Sequence, residues 1–320
     1  MKQLKHKLII LLTISMILCL TGCSGERIQR KLTYREEGIA YMEEEKYEQA
    51  LESFQLALDE SLGKIDNTTL DICFYKAKAQ YLLNDTKGAL ETYDAIITYN
   101  DSPKAYFLRG NLYYTLGKEA EAFSDYKKAA EVESADYELY IGIYNVLMEM
   151  GKEKEGQEYL NKALEINEKN TADKLQEGYI NFLLGEYETA VSLLEEASVK
   201  EVDANFYLFQ VYEAMGDGVN ANKYLNSYLE SKKVDSYKLY EVGKSQMEEK
   251  NYKLAITCFE NAMELEEVPN KQQIMKQLVR AYELSYDFVS AKRCMAEYVA
   301  QYPEDEDEMI IKEYEFLQTR

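Results

Sequence analysis

Eight small residues recur along this chain at nearly constant intervals, and that recurrence limits the fold more than any other feature. They are Ala50, Ala89, Ala122, Gly156, Ala190, Ala221, Ala255 and Ala291, with gaps of 39, 33, 34, 34, 31, 34 and 36 residues. A second ladder keeps the same period: Gly117, Gly151, Gly185 and Gly216 are 34, 34 and 31 residues apart. A short unit repeated in this way buries its apolar face only against its neighbours. The chain therefore reads as a stack of like units.

Within each unit the apolar residues follow helical spacing, and two amphipathic helices fit each period. Gly38, Gly110, Gly178 and Gly243 fall inside helical pattern, where glycine costs about 1 kcal/mol relative to alanine. Their recurrence predicts a neighbouring helix too close to admit a side chain. Gly117, Gly151, Gly185 and Gly216 are predicted to end the first helix of a pair in the left-handed region. Pro103, Pro269 and Pro303 all fall at junctions between units, where helices tolerate them. No strand-like alternation of useful length appears.

The third unit carries Tyr106, Gly110, Tyr113, Gly117, Ala122, Tyr126 and Ala129; the first carries Tyr34, Gly38, Tyr41, Tyr47, Ala50, Phe54 and Ala57. In this order and spacing the residues resemble the tetratricopeptide repeat. The seventh unit (Gly243, Tyr252, Ala255, Phe259, Ala262) and the eighth (Tyr282, Ala291, Pro303) follow the same scheme. The second, fourth and sixth depart from it, with Ala77 or Phe209 for the packing glycine and Gly156 for the alanine. The resemblance covers about residues 30–303. It implies an all-α, right-handed superhelical solenoid of about eight helix pairs over 32–303. Residues 304–320 are expected to form a capping helix, its first turn acidic and its apolar face made by Ile310, Ile311, Tyr314 and Leu317.

The N-terminus carries a separate signal. Lys2, Lys5 and Lys7 precede an uncharged run from Leu8 to Leu20, too short to span a bilayer and suited to a signal-peptide core. Leu20-Thr21-Gly22-Cys23 resembles the lipobox of bacterial lipoproteins. That resemblance implies cleavage of residues 1–22, lipidation of Cys23 and a chain tethered through 23–31 to the outer face of a bacterial membrane. In a host with two membranes, the outer one is possible, because Ser24 is not the aspartate that usually retains lipoproteins at the inner membrane. Arg27, Arg30, Lys31 and Arg35 lie close to that anchor, placed to meet anionic headgroups or simply to solvate the first helix.

Cleavage would also remove His6, the chain's one histidine, and would take the net charge from -21 to -24. With no histidine, no Gly-x-Ser-x-Gly elbow, no phosphate loop and no Cys-x-x-Cys, no catalytic kit, metal site or cofactor is implied. Gly216-Asp217-Gly218 reads as a turn. The strong acidic balance argues against nucleic acid. Cys73, Cys258 and Cys294 lack metal or disulfide spacing and read as buried thiols, with a Cys258–Cys294 bridge the alternative.

Function is sought on the first helix of each pair, whose non-core positions face ligand in the family. One row there holds Arg35, Phe74, Phe107, Ile141, Leu175, Phe206, Tyr240 and Lys276. The next holds Ile39, Lys78, Asn111, Asn145, Tyr179, Gln210, Lys244 and Arg280. Asn111 and Asn145 are candidates to bridge a peptide backbone. Phe74, Phe107, Ile141, Tyr179 and Phe206 are candidate side-chain anchors, and Lys78, Lys244, Lys276 and Arg280 candidate carboxylate receivers. Phe107 and Ile141 interrupt the family's carboxylate-clamp pattern. The expected function is a protein–protein interaction scaffold that captures a partner segment. The alternative is an assembly factor for a pilus- or secretion-type envelope machine. Glycan or solute binding ranks below both, since lipoproteins of this kind commonly use tryptophan and the chain has none.

Overall fold

The computed structural model describes residues 25–320 other than 134, 167–170, 232, 266–267, 269, 304, 306–307 and 320, and gives the backbone alone at 171–172 and 308–309. The leader, the lipobox and Cys23 lie outside the described residues. Every regular element among those described is a helix. The chain forms two compact units, residues 1–168 and 169–320. The first holds four helix pairs: α1 (25–43) with α2 (Tyr47–Asp59), α3 (Asn67–Leu82) with α4 (Thr86–Asn100), α5 (Pro103–Thr115) with α6 (Glu119–Glu131), and α7 (Tyr137–Glu149) with α8 (Glu153–Ala163). The second holds four more: α9 (Thr171–Leu183) with α10 (Tyr187–Ala197), α11 (Asp203–Ala214) with α12 (Gly218–Leu229), α13 (Ser236–Glu248) with α14 (Tyr252–Met263), and α15 (Lys271–Leu284) with α16 (Phe288–Gln301). It ends in α17 (Glu308–Gln318).

The recurring small residues sit on the second helix of each pair. All seven of the alanines are fully buried, and Gly156 is buried too. Four positions on comes a large buried side chain, such as Phe54, Tyr126, Leu194 or Phe259. That side chain explains the helical glycines. A Cβ on Gly38 would lie 2.4 Å from Phe54, on Gly110 2.6 Å from Tyr126, on Gly178 2.7 Å from Leu194 and on Gly243 2.4 Å from Phe259. In the fourth pair the sizes are exchanged: Tyr144 takes the glycine position, and its ring lies 3.0 Å from where a Cβ on Gly156 would be. Both departures from the repeat pattern in that pair are thus one compensated change.

The turn inside each pair is a left-handed residue. Gly117, Gly151, Gly185 and Gly216 have φ of 70°, 68°, 81° and 75°, as the glycine ladder predicts. The other four turns use Glu45, Asn84, Lys250 and Tyr286 with φ of 57°, 60°, 64° and 65°. All eight lie five residues before the recurring small residue. Acidic side chains then cap several helices. Asp85, Asp217 and Asp287 accept from the backbone N–H of Gly88, Asn220 and Ser290, and Asp66, Asp136 and Asp235 cap α3, α7 and α13 in the same way. Such caps satisfy N–H groups that have no partner inside the helix.

Three expectations change near the ends. The described part of the tether, residues 25–31, is helical and continuous with the rest of α1. The basic cluster on α1 is paired with carboxylates. Arg27 and Arg30 bond Glu60 at 3.2 and 2.9 Å, Lys31 bonds Asp66 at 2.7 Å, and Arg35 bonds Asp71 at 2.6 Å. Lys31 holds the Asp66 carboxyl down at about 2. These cations therefore pin α1 to the next helices, where a headgroup role was open. In the cap, Ile310 and Leu317 are buried and Tyr314 packs against the same core, but Ile311 is 47% exposed. Cys258 and Cys294 are free and buried, and burial pushes both thiols up to about 12. No group of three or more metal-ligating side chains stands together among the described residues, and no helix there is long and apolar enough to cross a membrane.

Candidate binding grooves

Each unit presents a hollow along its first helices. In the 1–168 unit, Phe74 and Lys78 of α3 meet Lys104 and Leu108 of α5 around a cavity of about 250 Å³. Lys78 is exposed and Phe74 half-buried, and the Lys104 ammonium lies 5.1 Å from the centre of the Phe74 ring. Phe107 of α5 packs on Tyr126, its ring 6.0 Å away, and closes over Gly142 of α7. Asn111 accepts a hydrogen bond from the Tyr126 hydroxyl at 2.9 Å, so its carbonyl is committed inside its own pair. Ile141 is half-buried and Asn145 exposed on α7.

In the 169–320 unit, α9, α11 and α13 enclose a larger groove of about 610 Å³. Its floor is aromatic. Tyr179 stacks on Tyr207 with ring centres 4.3 Å apart, and Phe182 lies 6.3 Å from Tyr179. Phe206 borders the groove but is only 4% exposed, wedged against Tyr228 at 5.2 Å. It shapes the wall and offers little surface. The polar wall comes from Gln210 and Glu213 of α11 and from Lys238, Glu241, Ser245 and Glu249 on or just past α13. Burial, and then the charge of Glu249, push the Glu213 carboxyl above the usual carboxylate range. Lys238 is drawn to Asp203 at 2.7 Å and lies 5.6 and 5.5 Å from the ring centres of Phe206 and Tyr207.

The three basic residues expected at this end stand apart from the groove. Lys244 bonds Glu241 at 3.2 Å and lies 5.2 Å from the Tyr240 ring centre. Lys276 is held by Asp305 at 2.8 Å, which ties α15 to the segment before α17. Asp305 also accepts from the Tyr298 hydroxyl and from Gln272. Arg280 is exposed on α15. The stripe that does line the groove, Lys238, Glu241, Val242, Ser245 and Glu249, follows helical spacing of three and four. Its mixed charge makes it look in the sequence like an ordinary solvated face. Only the aromatic neighbours supplied by α9 and α11 distinguish it.

Comparison with known proteins supports this architecture. The tetratricopeptide-repeat profile matches residues 103–136 and 138–170, which cover α5 to α8. Over 247 residues, 70% of this chain, the sequence is 26% identical to a DnaJ protein P58IPK homologue of Arabidopsis thaliana. It is also 25% identical over 248 residues to TPR repeat-containing protein MJ1428 of Methanocaldococcus jannaschii, covering 75% of this chain. The chain spans 48% and 40% of those relatives, about half their length or less. Among solved structures, the human IFIT1 dimer with m7Gppp-AAAA superposes with a TM-score of 0.52 at 17% identity, over 85% of this chain and 67% of that one. The likeness is one of fold. The chain carries tetratricopeptide repeats, matched directly at α5 to α8, and helix pairs of the same build continue on both sides.

Proposed function

We propose that this chain is a lipid-anchored, extracytoplasmic scaffold that captures a segment of a partner protein along the first helices of its repeats. The observation that carries the reading is the groove of α9, α11 and α13. At about 610 Å³ it suits a few side chains of a peptide, and its stacked Tyr179–Tyr207 floor offers the rigid aromatic contact area typical of binding hot spots. Tetratricopeptide repeats matched at residues 103–136 and 138–170 agree with a scaffold. The anchor rests on the sequence: Leu20 to Cys23 has lipobox form, and acylation at more than one position gives stable attachment.

Two measurements test the two halves. Cys23→Ser is expected to move the protein from the membrane fraction to the soluble fraction; retention in the membrane would overturn the anchor. A photo-crosslinking residue at Ser245, exposed beside the groove, is expected to trap a partner protein in the cells that make this chain. The same group at Val219, which is 83% exposed and outside the groove, provides the control. Identical adducts from both positions, or none from Ser245, would remove the groove from the function.

A further inference from the structure

The groove of the 169–320 unit has more hydrogen-bond acceptors than donors. The Gln210 side-chain carbonyl oxygen is buried there with no hydrogen-bond partner among the described residues. One turn further along α11, Glu213 reaches the same wall and faces the charge of Glu249. Among the described residues, Glu241 and Glu249 each receive a single side-chain donor, Lys244 and Gln246, at 3.2 Å. Among the described residues, the one cation lining the groove, Lys238, is turned toward Asp203. A buried acceptor without a donor costs free energy, and two carboxylates facing each other cost more in a partly desolvated site. A ligand that supplies donors and positive charge relieves both.

The floor favours the same ligand. Lys238 already sits within 6 Å of two aromatic rings, so the faces of this cluster accept a cation. The stacked ring of Tyr207 adjoins Gln210 and Glu213 along the groove. A planar guanidinium can stack on a ring while its fork of N–H groups reaches a carboxylate and an amide carbonyl together. An ammonium provides the charge without that fork. A second copy of this chain is a poor occupant, because each copy is strongly acidic, at -21 for the full sequence and -24 without Lys2, Lys5 and Lys7 of the leader.

We infer that the α9–α11–α13 groove binds a basic partner segment, with an arginine side chain against the Tyr179–Tyr207 pair and bonding to Gln210 and Glu213. The inference rests on the proposed peptide-capture function and specifies the chemistry of the partner. The aromatic floor receives the apolar residues beside that arginine, and Glu241 and Glu249 hold flanking positive charge. Binding weakens with rising salt, as exposed charge pairs do.

The test selects ligands from a random dodecapeptide phage library on residues 24–320, with wild type, Glu213→Gln/Glu249→Gln and Tyr207→Ala compared in parallel. The helical circular dichroism of each variant confirms that it folds. Wild type is expected to enrich arginine-containing peptides over the input library. The double glutamine variant is expected to bind those peptides at least about tenfold more weakly, the loss set by one or more charged hydrogen bonds. Replacing their arginine with lysine is expected to recover only part of the affinity. If the enriched peptides lose binding on Tyr207→Ala but are neutral or acidic, the basic segment is overturned while the groove reading survives. If no enriched peptide depends on Tyr207, both fall. Self-association of the chain that disappears in the double variant would assign the groove to a second copy and overturn the inference.

Discussion

At the scale of single residues, the repeat is a set of steric exchanges. A glycine on the first helix makes room for a ring sixteen positions later, as at Gly110 and Tyr126. Where the pattern breaks, at Tyr144 and Gly156, the missing volume has moved to the opposite helix. The packing glycines were legible in the sequence because glycine inside a helix is costly and a recurrent cost needs a recurrent cause. Half of the left-handed turns were not legible, because Glu45, Asn84, Lys250 and Tyr286 hold φ near 60° without a glycine to mark them. Tyr286 is the most costly of these. It is bulky, 83% exposed, and gains little there beyond an edge contact with Phe288 at 6.4 Å. A left-handed residue with a side chain loses roughly 1–2 kcal/mol, partly offset in glycine by the freedom of its unfolded chain. Tyr286→Gly is therefore expected to stabilise the protein by about 0.5–1 kcal/mol and raise Tm by a few degrees, measured by thermal circular dichroism. Gly117→Tyr is expected to act in the opposite sense, since Gly117 has φ of 70°. Equal melting temperatures for Tyr286→Gly and wild type would show that the tyrosine compensates its own strain.

At the scale of elements, α17 shows how a single helix packs on a repeat pair. Ile310 and Leu317 of α17 enter the core beside α15 and α16, while Ile311 turns to solvent. The expected amphipathic face was right in kind and too wide by one residue, because adjacent isoleucines on a helix point about 100° apart. A feature invisible to pattern joins this helix to α15: burial, and then the neighbouring carboxyl of Glu313, push the Glu283 carboxyl above its ordinary range. An acid whose pKa is raised in the folded chain stabilises it fully below the unfolded value, here 4.5, and less as pH rises through the folded value. The contact therefore favours α17 docking in mildly acid solution and loosens it in alkaline solution. Amide exchange in α17 is expected to accelerate between pH 4.5 and pH 8 by more than the chemical rate accounts for, and Glu283→Gln is expected to abolish the excess by donating to Glu313 at every pH. An unchanged excess in the variant would place the pH response elsewhere. The groove helices obey the same lesson. Of the candidate rows, Tyr179, Phe206 and Gln210 line the α9–α11–α13 groove, while on α13 the lining residues are Lys238, Glu241, Ser245 and Glu249, beside the row positions Tyr240 and Lys244. Helical period identifies faces; which of two polar faces is covered by a neighbouring helix depends on tertiary contacts that one helix does not contain.

At the scale of the molecule, a run of similar pairs has no single core, and its cooperativity depends on how neighbouring cores join. One continuous cluster runs from Leu175 to Leu317 in the 169–320 unit. The described clusters of the 1–168 unit are smaller, around Phe54, around Tyr93 and around Tyr126, and only the single side chain of Ile97 is described as packing against both of the last two. A larger shared core gives a steeper and later unfolding transition, because breaking any pair exposes apolar surface on the next. The 169–320 unit also carries α17, whose Ile310 and Leu317 add to the same cluster. Residues 169–320 produced alone are therefore expected to unfold in one cooperative thermal transition, and to keep the peptide binding assigned to the groove, which lies wholly within residues 179–249. Residues 24–168 alone are expected to melt earlier and over a wider range, because their clusters share fewer buried neighbours. Calorimetry of the two pieces beside the full chain decides the matter. If 169–320 shows no cooperative transition while the full chain does, stability in this protein is a property of the whole run of repeats, and the cluster from Leu175 to Leu317 does not hold itself together.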